Sequence, residues 1–343
     1  MKPLLSILIP TYKRIERLKK TFPKLIEEIS NEIEFIVIDN ASEDGTESFI
    51  NDFINKDKRV RYFKNPVNIG PNRNIYRGFL ESEGDWFTII PDDDFVENSF
   101  LRELLLTIKT NQNCGLIIPY LENNSKVFEK TTIIKKGIKA LTFSYKNSSA
   151  ITGLTFKKNA ILEKEWFLDG FIYPQVKLAV DLSLMNDVVW FVSKKPPKVG
   201  EWGDKYSSLE RPSDFGIFEQ LAILIEVLKK TKKSERTNLR HSLSAGLFSW
   251  AITTGTGMYL ENKSNTLLFF KVLLENKFIN SSCIFLGLLF YKVVLNKQIL
   301  FLHRIKILGY VSGSILKALF QSNFYSSLFY SLKEIKKIKQ KTV

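Results

Sequence analysis

The sequence predicts an α/β domain, a Rossmann-like and mostly parallel open sheet, with a helical region appended at its C-terminus. Three observations carry that expectation. Over the first 120 residues, short β-branched runs alternate with segments of helical periodicity, the pattern of repeated βαβ units. Beyond residue 215 the strand signals fade and apolar-rich helical segments take over. The charge divides with them, since residues 229–343 hold 19 Lys/Arg against 4 Asp/Glu while residues 1–228 hold 31 against 32.

In chain order, residues 6–10 (SILIP) and 34–39 (EFIVID) read as strands, being short, β-branched and bounded by turn formers. Between them Leu18, Phe22, Leu25, Ile26 and Ile29 recur at helical spacing. Further strands are expected at 60–63, 86–90 and 115–119, and helices near 46–54, 72–80 and 99–109. In such a sheet the ligand lies at the carboxyl ends of the strands. Residues 1–120 are expected to form the first half of a 1–215 domain, and the more mixed stretch 121–215 its second half. Residues 216–343 are the basic helical region.

Composition narrows the class. An apolar content of 44% in 343 residues is that of a packed chain, not a disordered one. Cys114 and Cys283 stand far apart, and His241 and His303 lie in basic helical surroundings, so neither a disulfide framework nor a zinc site is suggested. The apolar run 4–9 is too short for a signal-peptide core, which points to a cytoplasmic protein. The segment 283–302 carries Lys292 and Lys297 inside the ~20-residue window that a membrane span needs, and reads as core helices instead. In 331–341, Leu332, Ile335 and Ile338 alternate with Lys333, Lys336, Lys337 and Lys339, as in a helix that lies on an anionic bilayer. The basic C-terminal region is therefore expected to hold the protein peripherally on the inner face of the membrane. It contains no recognisable nucleic-acid module, so no nucleic-acid partner is expected.

The sharpest chemical feature is Asp92-Asp93-Asp94, directly after the apolar strand 86–90 and Pro91. Three adjacent carboxylates repel one another and are costly to desolvate, so they call for a positive partner. Mn²⁺ or Mg²⁺, held by one or two carboxylates with phosphate oxygens completing the shell, is the natural candidate. A second feature is the loop Pro10-Thr11-Tyr12-Lys13-Arg14, where Tyr12 could flank a nucleobase and Arg14 could approach phosphate. A third is Asp39, at the end of another strand, which could accept a hydrogen bond from a base imide. Each alone is also what helix caps and turns use.

Together these residues resemble a known family. The order Pro10-Thr11-Tyr12, Asp39-Asn40-Ala41-Ser42 with Asp44-Gly45-Thr46, Asn68-Ile69-Gly70 with Arg73-Asn74, Gly84-Asp85, and the carboxylates ending at Asp94 is similar to family-2 glycosyltransferases of the GT-A fold. The resemblance covers about residues 4–120. It is nearest to enzymes of bacterial surface-polysaccharide synthesis, O-antigen and capsule among them, of the abequosyltransferase-like subgroup. It implies a nucleotide pocket lined by Pro10, Thr11, Tyr12 and Arg14, with Asn68 and Gly70 nearby and Asp39 reading the base, most often uracil. It places Arg73 near the diphosphate, Asp92 at the ribose or donor sugar and as a second metal contact, Asp93 beside it, and Asp94 as the metal ligand. Pro91 stands where the family often carries its first acidic residue.

The resemblance further implies inverting transfer from a nucleoside-diphosphate sugar, UDP-linked above all, to a lipid-linked or oligosaccharide acceptor. Asp169 is the first candidate for the base, with Asp181 and Asp204 behind it. Trp166, Phe171, Tyr173 and Trp202 could form an acceptor platform. The alternatives are a nucleotidyltransferase, against which the chain lacks a Gly-rich basic N-terminal loop, and a non-catalytic sugar- or nucleic-acid-binding protein.

Overall fold

Strands β1 (Leu5–Thr11), β2 (Ile33–Asp39), β3 (Val60–Lys64) and β4 (Trp86–Ile89) are joined by helices α1 (Ile15–Ile26), α2 (Thr46–Ile54) and α3 (Pro71–Glu81). They pair in parallel, in the order β3-β2-β1-β4, so all four carboxyl ends open on one side. The computed structural model describes residues 2–27, 30–122, 128–161 and 174–200, with isolated positions between 225 and 236. The chain divides into two compact units, Met1–Ser207 and Ser208–Val343, and every element named here lies in the first.

These elements form where the pattern predicts them, because β1 and β2 are buried on both faces and so read as near-continuous apolar runs. Period two still sorts them. Leu5, Ile7 and Ile9 face a core with Phe22, Phe100 and Leu104, whereas Leu8 faces the opposite core with Phe79, Phe87 and Phe156. Pro10 is tolerated inside β1 because it lies beyond Leu8, where pairing with β4 has ended. Helix α1 stops at Ile26, and Ile29 lies outside the described residues.

The mixed second half follows α4 (Asn98–Thr110) and comprises β5 (Cys114–Pro119), β6 (Thr132–Ile134), α5 (Ile138–Asn147), β7 (Thr155–Lys157), α6 (Pro174–Met185) and β8 (Asp187–Phe191). Strand β7 inserts antiparallel between β4 and β5, and β6 closes the sheet antiparallel to β8. Because β7 starts at the open side of the sheet, the loop that precedes it is delivered beside the end of β4. Among the described residues no helix is long and apolar enough to cross a membrane. The segments 283–302 and 331–341 lie outside those residues.

Candidate active site

Where β4 ends, Ile90 and Pro91 carry the chain into a tight turn closed by the Asp94 amide donating to the Pro91 carbonyl at 3.1 Å. The turn buries two of the three carboxylates, Asp92 at 2% and Asp94 at 4% exposure, while Asp93 is more open. Thr11, the last residue of β1, donates its hydroxyl to Asp92 Oδ2 at 2.7 Å, and Arg14 Nη1 reaches Asp92 Oδ1 at 3.1 Å and Asp93 Oδ2 at 3.3 Å. Arg17, in the first turn of α1, bonds Asp93 Oδ2 at 2.7 Å, and Thr21 donates to the Asp92 carbonyl at 2.8 Å. Burial pushes both Asp92 and Asp94 up to about 6. The Thr11 bond and Arg14 oppose this at Asp92, as the Thr152 and Gly200 bonds do at Asp94.

Two loops remote in sequence complete the cluster. Thr152, before β7, donates its hydroxyl to Asp94 Oδ2, and the Gly200 amide donates to Asp94 Oδ1 at 2.7 Å. The segment after β8 is strapped there by Phe95 and Lys198, which exchange two backbone hydrogen bonds of 2.9 Å. Glycine is required at 200, since a Cβ would lie 2.2 Å from the Asp93 carbonyl oxygen. Arg17, Thr21, Thr152 and Gly200 were not singled out from the sequence. The first two fall on the α1 periodicity, one and two turns beyond Arg14, and offered a signal; the last two are brought in by long-range topology alone.

Beside the triplet, Asp39 is fully buried at the end of β2, accepting from the Ser42 amide at 2.8 Å and the Tyr62 hydroxyl at 2.6 Å. Burial, reinforced by Asp39, drives Tyr62 far above the ordinary phenol range. The 40–42 turn carries Ala41 at φ 67° and is tied to the first loop by the Lys13 amide, itself at φ 52°, donating to Ser42 Oγ at 2.8 Å. Positive φ at non-glycine residues stores of order 1 kcal/mol each and persists only where neighbours fix it. An asparagine relay, buried at Asn40, Asn65 and Asn74, adjoins the turn here. Asn40 bonds Asn68 at 2.7 Å and accepts from Asn65 at 3.1 Å, and Asn65 bonds Asn74 at 2.7 Å. The Asn68 side chain also accepts from the Gly70 amide at 2.9 Å. Tyr12 stands exposed at the rim, its hydroxyl held below the ordinary range by its hydrogen bond to Asn68, with Lys13 5.4 Å over its ring.

The structure thus brings Pro10, Thr11, Tyr12, Arg14, Asp39, Asn68, Gly70 and the triplet to the open ends of β1, β2 and β4. Arg73 lies exposed in the first turn of α3. Asp181 lies on α6, paired with Lys177 at 2.9 Å. Asp169 and Asp204, and the aromatic residues Trp166, Phe171, Tyr173 and Trp202, lie outside the described residues. Among the described residues no group of three or more His, Cys, Asp or Glu is arranged to hold a metal ion. Two buried, oxygen-donating carboxylates raised by desolvation nevertheless fit a hard divalent cation that takes its remaining ligands from a bound phosphate.

Residues 6–167, which contain every element of this cluster except Gly200 and its strap, match the family model described as "Glycosyl transferase family 2". The chain carries a family-2 glycosyltransferase domain. Curated relatives agree with the assignment. A "GalNAc(5)-diNAcBac-PP-undecaprenol beta-1,3-glucosyltransferase" of Campylobacter jejuni is 30% identical over 194 residues, covering 52% of this chain and 60% of that protein. An "Abequosyltransferase RfbV" of Salmonella typhimurium is 37% identical over 104 residues, covering 29% and 31%. The chain thus spans between about a third and three-fifths of the length of these relatives. Among solved structures, S. aureus TarS 1–349 in complex with UDP-GlcNAc superposes with a TM-score of 0.57 at 16% identity, covering 81% of this chain and 78% of that one. The mannosyltransferase PcManGT of Pyrobaculum calidifontis, in complex with GDP-Man and Mn²⁺, gives 0.53 at 11%, covering 98% and 86%. At such identities the likeness is one of fold. The fold of the family-2 domain is that of GT-A glycosyltransferases, as its sequence resemblance implied.

Proposed function

We propose that the protein is an inverting glycosyltransferase of bacterial surface-polysaccharide synthesis, moving a sugar from a nucleoside-diphosphate donor, UDP-linked first among them, to a lipid-linked or oligosaccharide acceptor. The observation that carries the reading is the buried pair Asp92 and Asp94 at the end of β4, raised to about 6 by desolvation inside a family-2 domain. Asp94 and Asp92 would hold Mn²⁺ or Mg²⁺ together with the donor's phosphates. The cation's contribution when bound is Lewis-acid stabilisation of the charge on the departing diphosphate.

The chain's own residues do the rest. Asp39, fixed by Ser42 and Tyr62, accepts from the base; Tyr12 flanks it; Arg14 and Arg73 face the phosphates. The acceptor hydroxyl attacks the anomeric carbon as the bond to the diphosphate breaks, which inverts the centre, and a carboxylate takes the hydroxyl proton. Asp169 is the base we assign, with Asp181 and Asp204 as its alternatives. A lipid-linked acceptor is supported by the name of the Campylobacter relative, which includes a polyprenyl diphosphate. It also suits attachment of residues 216–343 to an anionic membrane surface from the cytoplasmic side.

The experiment is calorimetric titration of UDP with and without Mn²⁺, on wild type and Asp94→Ala. Metal-dependent binding that Asp94→Ala loses supports the donor site and opens a screen of sugar nucleotides. A folded wild type that binds no nucleoside diphosphate overturns it.

A further inference from the structure

We propose that Arg14 is a movable counter-ion of the acidic triplet, which competes with a metal ion for Asp92 and turns to the donor's diphosphate when metal and donor bind together. The inference rests on the donor-site reading above, and the asymmetry of the contacts around the triplet carries it.

Among the described residues, every other side-chain contact to these carboxylates is short and comes from a fixed group. Thr11 closes Asp92 Oδ2 from a buried strand end, Thr152 and the Gly200 amide close both oxygens of Asp94, and Arg17 holds Asp93 at 2.7 Å from within α1. Arg14 is different in three ways. A single nitrogen, Nη1, is divided between two carboxylates at 3.1 and 3.3 Å, longer than the ~2.7–2.9 Å of a well-made charge-assisted bond. Its side chain is 43% exposed although its partner Asp92 is 2% exposed. It also sits at the N-cap of α1, outside the helix, and its side chain makes no capping bond there. Arg14 therefore covers Asp92 Oδ1, the oxygen that no fixed group closes among the described residues, and it does so loosely.

That arrangement answers an electrostatic need. A desolvated Asp92 beside Asp93 and Asp94 with no cation nearby would be strongly unfavourable, and a guanidinium cannot shed its own charge. When a divalent cation reaches the same carboxylate, two positive groups compete for it, and the one on a flexible stem moves. The phosphates entering with the cation are its next partner, because a guanidinium fork suits phosphate oxygens. Charge on Arg14 thus opposes the binding of metal alone and favours the binding of diphosphate with metal. A merely structural Arg14 would move both affinities the same way.

The test compares wild type, Arg14→Met, Arg14→Lys and Arg17→Met. Free Mn²⁺ is followed by electron paramagnetic resonance without nucleotide, and UDP is titrated calorimetrically at saturating Mn²⁺. Arg14→Met is expected to bind Mn²⁺ alone about tenfold more tightly and UDP about tenfold more weakly, shifts of the size that one nearby charge supplies. Arg14→Lys keeps the charge and stays near wild type on the metal axis, and Arg17→Met shows no such opposed pair of shifts. Unchanged or weaker Mn²⁺ binding by a folded Arg14→Met, with wild type binding both ligands, overturns the role of Arg14 alone. A wild type that binds neither Mn²⁺ nor UDP overturns the donor site itself, and this inference with it.

Discussion

The sheet buries carboxylates at both of its ends, and the two ends treat them differently. At the amino end, Glu34 is 5% exposed and closed on every side. Its Oε1 accepts from Ser6 Oγ at 2.6 Å, the Glu83 amide at 2.7 Å and the Gly84 amide at 3.2 Å, while Oε2 pairs with Arg61 at 2.8 Å. The packing leaves no space for a ligand, since a Cβ on Gly84 would lie 2.7 Å from the Ser6 amide nitrogen. At the carboxyl end, two buried carboxylates lie within one turn of each other, bonded mostly by neutral hydroxyl and amide donors, and their loosest contact is a half-exposed arginine. Burial alone therefore does not mark a functional carboxylate. What marks Asp92 and Asp94 among the described residues is charge met mostly by neutral donors, with a half-exposed arginine as their cationic contact.

The comparison is broken most directly at Asp94. Asp94→Ala should lower transfer by roughly 10³-fold or more, the scale on which removing a charge-stabilising group acts, while its melting midpoint stays about level, because relief of a desolvated carboxylate offsets the acceptor lost to Thr152 and the Gly200 amide. A variant that loses its fold along with its activity would make Asp94 another Glu34. The second way is pH. The folded values of Asp92 and Asp94, about 6, lie above the ordinary 3.8, so between these values the native state binds more protons than the unfolded chain. Metal-free stability should fall as pH rises from about 4 to about 6 and then level off, by at most roughly 3 kcal/mol per carboxylate. Denaturant titrations at pH 4.5 and 7.5 check this, and Asp92→Asn with Asp94→Asn should remove that part of the slope.

At the other end stability changes and transfer does not. Glu34→Ala leaves two amides, a hydroxyl and Arg61 without their acceptor and should cost about 2 kcal/mol of stability, discounted because Arg61 is 30% exposed. Transfer per folded molecule should be unaffected, which an assay normalised to a native-state signal reads.

The contrast also marks what the sequence makes legible. Elements of the first 120 residues are readable because buried parallel strands must be apolar and amphipathic helices must repeat every three to four residues; the expected helix 46–54 matches α2 residue for residue. The triplet is readable because three acids after an apolar strand have few explanations. Its setting is not. Thr152 and Gly200 lie 58 and 106 residues from Asp94 and are ordinary loop residues in isolation. The short strands β6 and β7, three residues each, carry too few positions for a period to show. The asparagine relay is mostly legible: Asn40, Asn68 and Asn74 stand in the family pattern, whereas Asn65 is identified only by the bonds it makes.

The finest test uses two neighbours on β3 that serve opposite ends of the sheet. Arg61 reaches Glu34, and Tyr62, the next residue, bonds Asp39 at 2.6 Å. Tyr62→Phe removes one neutral donor from a fully buried carboxylate and keeps the ring, so the expected loss of stability is only about 1 kcal/mol. Its effect on nucleotide binding should be the more visible one, because Asp39 would then be oriented by the Ser42 amide alone and could turn away from the base. Discrimination between UDP and CDP should narrow by several-fold in Tyr62→Phe, as expected for about 1 kcal/mol of lost orientation. Arg61→Met should leave that ratio where it is while lowering the unfolding midpoint. If Tyr62→Phe changed only the midpoint and left the nucleotide preference intact, Asp39 would belong with Glu34 among the closed carboxylates, and the base would have to be read from the Tyr12 side of the cleft.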